Sequence, residues 1–147
     1  MKTKDKQLKY EEWLSAENMH ETSQKWLSEL EFIKDECLFF DDLIKSYTLQ
    51  MLDSKHFVES KKMIDKLSSN QKETDNKIKS IKAHERELKI MVDGIDQLKE
   101  EAVYKEQHRK LIINVNEFLK NYRAFKTQLF NLIKKIIKEQ KQKRLLQ

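Results

Sequence analysis

An all-α fold, an elongated antiparallel three-helix bundle running up, down and up, is what this sequence predicts. Three observations carry that prediction. Apolar residues recur at alternating steps of three and four along most of the chain, which stacks them on one face of a helix. There is one glycine, Gly94, and no proline, so sheet turns and glycine-rich phosphate loops have almost nothing to be built from. Charged residues make up 37% and hydrophobic residues 38% of the chain, the balance of long amphipathic helices. At 147 residues the chain fits one domain.

Residues 1–11 read as a flexible, lysine-rich lead-in. The helical bundle domain is expected over 12–137, followed by a basic C-terminal extension over 138–147. The first helix is expected to start near Glu11 or Glu12, with Glu17 also near its positive end. Its coiled-coil-like seam runs through Ala16, Met19, Ser23, Trp26, Leu30, Ile33, Cys37, Phe40, Ile44, Tyr47 and Met51. Leu27, Leu38, Phe39 and Leu43 widen the stripe, so this helix should face two neighbours rather than one.

The stripe ends at Leu52, and Asp53 and Ser54 are good N-cap residues for the next helix. The second seam runs through Phe57, Ser60, Ile64, Leu67, Gln71, Thr74, Ile78, Ile81, Glu85, Leu88 and Val92. Its middle, Ser68–Lys77, is polar, and Ser, Asn and Asp there compete for the backbone groups of a helix. A break at 68–77 makes four helices. One continuous helix matches the length of its neighbours better and is the reading adopted.

Gly94 suits a C-cap, and Asp93 or Asp96 can cap the third helix. That helix passes Leu98, Ala102 and Tyr104 and runs to about residue 142. Its seam is the strongest of the three: Leu111, Val115, Phe118, Tyr122, Phe125, Leu129, Leu132 and Ile136. The expected core contains Trp26, Leu30, Ile33, Phe40, Ile44, Ile78, Leu88, Val115, Phe118, Phe125 and Leu129.

Charge is distributed unevenly. Residues 12–53 hold three Lys against ten acidic residues, a net of −7, whereas 54–92 carry +4 and 93–147 carry +6. An acidic first helix beside two basic ones favours their packing together.

Function is constrained mainly by what is missing. Cys37 is the only cysteine, which rules out an internal disulfide and a thiolate metal cluster. No stretch approaches the length of a transmembrane helix, and the N-terminus lacks the apolar run of a signal peptide. A cytoplasmic protein is the resulting expectation. Asp41 and Asp42 are consecutive and so point in different directions on a helix. No serine has a definable His and carboxylate frame. No enzyme and no cofactor are expected.

One constellation departs from this. Antiparallel folding about turns near 53 and 94 sets His20, His84 and His108 within about a turn of one another, with Glu17, Glu21, Glu85, Glu87 and Glu101 in the same zone. Imidazoles and carboxylates are ligands for iron, manganese or zinc, so these histidines are the candidate metal ligands of a metal-binding bundle. His56 falls at the opposite end.

The best functional expectation is a non-catalytic protein-interaction or scaffold module, self-associating as a homo-oligomer or engaging another helical partner. The candidate interaction residues are Lys134, Lys135, Ile137, Lys138, Lys141, Lys143 and Arg144. Residues 134–147 carry six basic residues and one acidic, and the part beyond residue 134 should project past the bundle, leaving Ile136, Ile137, Leu145 and Leu146 uncovered. Nucleic acid and an anionic membrane surface are the alternative partners for such a segment.

Overall fold

The computed structural model describes residues 15–94 and 98–146. The lead-in over 1–11, the helix start at Glu11 or Glu12 and the cap at Asp96 lie outside the described residues. The described chain is all-α, with three long helices and one single turn, and no strand among the described residues. The helices are α1 (Ala16–Ser46), α2 (Thr48–Met51), α3 (Phe57–Asp93) and α4 (Leu98–Leu146).

The start of α1 is set by Ser15. Its Oγ accepts the Asn18 backbone N–H at 3.2 Å, and its carbonyl accepts Met19 N–H at 2.9 Å, which is N-capping. The far end is less regular than the seam suggests, because the helix stops at Ser46 and α2 follows. Tyr47 N–H bonds back only three residues, to Ile44 O at 3.0 Å. The Thr48 hydroxyl donates toward Ile44 O at 3.1 Å and Lys45 O at 3.0 Å. These local bonds displace the regular ladder for one step.

Asp53 and Ser54 do not cap α3. Asp53 O accepts His56 N–H at 2.9 Å, closing a turn first, and His56 O then accepts Ser60 N–H at 2.8 Å. His56 therefore holds the N-cap position, and the helix starts at Phe57. The polar middle of α3 remains helical through all of 68–77, within a helix of 37 residues. Thr74 sits fully buried there, and its Oγ1 donates to Asn70 O at 2.7 Å. Its hydroxyl is thus satisfied by its own helix, and the seam crosses the polar stretch without a break.

The chain divides into two compact units. Among the described residues, the first comprises 15–32 with 75–94 and 98–116, and the second 33–74 with 117–146. In the first unit, Met19, Leu88 and Tyr104 form a core cluster against which Ala16 and Met91 pack. Trp26, Leu30, Ile78, Ile81 and Val115 are also buried there. In the second unit the core includes Ile33, Cys37, Phe40, Met63, Leu67, Phe118, Phe125, Leu129 and Leu132. Phe40 meets Phe125 and Phe130 edge-on, at 6.4 and 5.5 Å between centroids, an arrangement the ring quadrupoles favour. Every residue of the expected core is buried.

Helix directions follow from the partners within each unit. In the second unit, Lys66 bonds Gln128 and His56 bonds Glu139, so numbers fall on α3 as they rise on α4, and the two run antiparallel. Glu36 bonds Tyr122 and Lys126, and Phe40 meets Phe125 and Phe130, so α1 and α4 run parallel. The first unit repeats the antiparallel relation with Lys77 on Asn114 and His84 on His108.

Three details of the expected seams are corrected. Phe57 is 45% exposed, while His56 and Met63 are buried where Phe57 and Ile64 were expected. An α-helix repeats every 3.6 residues, not every 3.5. Met63 and His56 lie 11 and 18 residues before Thr74, about three and five full turns, so they share its face. Leu38 and Phe39 are 58% and 59% exposed and do not widen the core. Ile136 is buried, and Glu139 pairs with Lys55 at 2.9 Å and with His56 at 2.8 Å. The packed part of α4 thus extends beyond residue 134, and only 141–146 are exposed throughout.

Phe118 and Phe125 are 4% and 3% exposed. Replacing either with Ala should cost about 3–5 kcal/mol through lost contacts and a residual cavity, measured by urea unfolding. A loss below about 1 kcal/mol at both positions would contradict the packing described here.

Candidate functional site

The most concentrated polar chemistry lies in the first unit. His84 belongs to the buried stripe of α3, three residues after Ile81 and four before Leu88. His108 belongs to that of α4, four residues after Tyr104. Helical spacing therefore aims both imidazoles inward. His84 Nε2 and His108 Nδ1 are 2.9 Å apart, and the residues are 4% and 1% exposed. One ring donates its N–H to the lone pair of the other, which requires the accepting ring to be neutral.

The pair sits in a stack of rings. Tyr104 lies parallel to His84 at 4.0 Å and 5°, the two imidazole centroids are 5.1 Å apart, and Trp26 stacks on His108 at 5.1 Å. Burial, reinforced by the neighbouring imidazole, pushes the His84 pKa down to about 4. Burial also lowers that of His108, with the Glu85 carboxylate pulling the other way. Burial raises the Tyr104 phenol, helped by Glu85 and Glu87. The Tyr104 hydroxyl and Ser23 Oγ are buried without a hydrogen-bond partner among the described residues.

His20 goes elsewhere. It is largely exposed and its Nδ1 meets Glu85 Oε2 at 2.5 Å, a carboxylate also reached by Gln24 Nε2 at 3.3 Å. The level expected for His20, His84 and His108 is therefore right, but the three rings do not converge. Among the described residues no group of three or more His, Cys, Asp or Glu is arranged to hold a metal ion. What sequence reasoning missed is that His84 and His108 serve each other. The signal was available in the step of four from Tyr104 to His108, which places an imidazole on the buried stripe.

In the second unit, Tyr122 OH donates to Glu36 Oε1 at 2.5 Å, and Lys126 Nζ lies 2.9 Å from the same oxygen. Burial and the Glu36 bond raise the Tyr122 phenol, and burial raises the Cys37 thiol. Cys37 is thus a core thiol with little thiolate character. Glu139 is held at about 2 by hydrogen bonds from His56 and Lys55. Of the candidate interaction residues, Lys134, Lys135, Lys138, Lys141, Lys143 and Arg144 are exposed, and Ile137 is half-buried. Among the described residues no helix is long and apolar enough to cross a membrane.

The imidazole pair makes stability depend on pH with a definite sign. His84 takes up its proton near pH 4 in the folded state, against 6.5 for an unperturbed histidine. Between those values the unfolded chain binds more protons, so stability falls as the pH drops through that window and is fully present above it. The melting temperature should decline from about pH 6.5 toward 4, and the His84→Phe/His108→Phe double variant should flatten the decline. A ¹⁵N-detected titration that finds His84 protonating at its ordinary pKa would contradict the buried pair.

Comparison with known proteins adds no relative to this chain: no protein-family model matches it, and no curated protein and no solved structure is significantly similar to it.

Proposed function

We propose that this chain is a non-catalytic helical interaction module that associates with copies of itself. The observation that carries this reading is the exposure of large apolar side chains on regular helices. Phe32, Phe39, Ile90, Val103 and Ile113 are 57–70% exposed. Single exposed apolar residues need no explanation, but several along long helices mark surfaces that gain by being covered. The titratable groups of the interior, His84, His108, Tyr104, Tyr122 and Cys37, are buried among ring stacks and core side chains. They support rigidity rather than turnover.

A second reading rests on the end of α4. Glu139, the only acid in 134–147, is already engaged with Lys55 and His56. The exposed cations Lys134, Lys138, Lys141, Lys143 and Arg144 therefore have no acid of their own segment left to neutralise them. Phosphates of a nucleic acid or of an anionic membrane are suitable counter-charges.

Light scattering over a range of concentrations discriminates between the two. Self-association should raise the mass above the 17.8 kDa of one chain. A constant mass of one chain at all concentrations would sink the first reading. Removing 141–147 should leave the unfolding midpoint unchanged and cost only the helical signal of the deleted end of α4, since these residues carry no buried side chain among those described. On the second reading the same truncation weakens salt-dependent binding to oligonucleotides or anionic vesicles. The absence of such binding in the full-length chain removes that reading.

A further inference from the structure

We propose that the α1–α4 face of the second unit is the self-association surface, and that its occupant is the same face of a second copy related by a two-fold axis parallel to the helices. The inference rests on the self-association reading above and names its surface.

The face is built around the contact of α1 with α4. Glu36 bonds Tyr122 and Lys126, and Phe40 meets Phe130, so these residues mark the facing flanks. Phe39 follows Glu36 by three residues and lies against Phe40, at 5.9 Å between centroids. It nevertheless stays 59% exposed, and Phe130 stays 46% exposed. Leu43, four residues beyond Phe39, and Ile137, seven beyond Phe130, are half-buried. Steps of four and seven keep residues on one side of a helix, so these four side chains form one apolar strip over the seam.

The two edges of the strip carry opposite charge. On α1, Asp35 and Asp42 lie four residues before and three after Phe39, on its outer side. On α4, Arg123, Lys134 and Lys141 are separated by 11 and 7 residues, about three and two turns, and so form one line. Lys134 is four residues after Phe130, which puts that line beside the strip. All five charged residues are exposed.

This pattern selects a second copy and also selects the symmetry. Facing partners on α4 carry numbers 85 to 90 higher than those on α1, as Glu36 with Tyr122 and Lys126 and Phe40 with Phe125 and Phe130 show. Asp35 is therefore level with Arg123, and Asp42 lies within about a turn of Lys134. A two-fold axis parallel to the helices preserves level and exchanges sides. It places α1 of one copy on α4 of the other, so that each acidic edge meets a basic edge at the matching height. A two-fold axis across the helices would instead set α1 on α1 and bring like charges together. An isologous contact of the first kind closes at a dimer, and opposed charges fix its register.

The test uses charge reversal on the full chain. Asp35→Lys/Asp42→Lys makes both edges basic, and Arg123→Glu/Lys134→Glu makes both acidic. Each variant alone should weaken the dimer more than about tenfold in Kd at low salt, with unchanged helicity by circular dichroism. An equimolar mixture of the two should restore a dimer, which general damage to folding cannot mimic. If each variant dimerises as the parent does, or if the mixture fails to recover, this surface is wrong while self-association through another face stands. If the parent chain is monomeric at every concentration, the self-association reading itself fails.

Discussion

Each long helix must bury sides that face two neighbours at once, and that requirement shapes the interior. Its effect is clearest in α3, where consecutive residues serve different partners. His84 turns to His108 of α4, and Glu85 turns to His20 and Gln24 of α1. Successive side chains on a helix stand 100° apart, so a face that includes both is far wider than a dimeric coiled-coil seam. A chain with 38% hydrophobic residues cannot fill such a face with apolar side chains on every helix. Polar residues enter the core, and each then needs a local solution. Thr74 bonds its own backbone, the histidines bond each other, and Tyr122 bonds Glu36. Ser23 and Ser60 are small enough to be buried with an unpartnered hydroxyl among the described residues, at a cost well below that of a buried charge.

The same requirement separates what was legible in the sequence from what was not. Helix type and core membership were legible, because seams such as Val115, Phe118, Tyr122, Phe125 and Leu129 repeat faithfully and all are buried. Continuity through 68–77 was legible from helix lengths, although its local reason, the Thr74 bond to Asn70, was not. A heptad template cannot report the second neighbour. It placed Glu85 on the seam and left His84 beside it, as a core-edge residue or a weak candidate ligand. It also ran out of register toward Phe57, where the 3.6-residue period brings His56 inward. The end of α4 was misjudged for a related reason. Counting from Gly94 placed the limit of packing near Lys134, but the partners of the second unit sit further along α4, with Lys66 on Gln128 and His56 on Glu139. Those partners lie six and seven residues beyond the positions that a mirror about Gly94 gives, about two turns, so α4 stays packed as far as Glu139.

The candidate metal ligands show how far a level-by-level argument reaches. Height along a bundle follows from turn positions alone, and His20 and Glu85 do meet beside His84 and His108. Direction around each helix needs knowledge of which neighbour lies on which side, and the sequence pattern does not encode it. His20 sits on the exposed flank of α1, whereas the other two rings are sealed between Tyr104 and Trp26. Two imidazoles joined by one hydrogen bond, with no metal-holding group of three His, Cys, Asp or Glu among the described residues, form a buried core contact.

The charge asymmetry of the chain has an internal part and an external part. The internal part consists of pairs between packed elements, such as Glu36 of α1 with Lys126 of α4 and Glu139 of α4 with Lys55 in the turn before α3. These hold helix edges together, but they use only some of the acids of α1 and some of the bases of α4. Asp35, Asp42, Arg123 and Lys134 remain exposed, sorted by helix into acidic and basic lines. Packing within one chain needs no such sorting on the outer surface, because exposed charges placed at random keep a helix soluble equally well. Where sorted lines flank exposed phenylalanines, the asymmetry that draws the helices of one chain together is also available to a second chain.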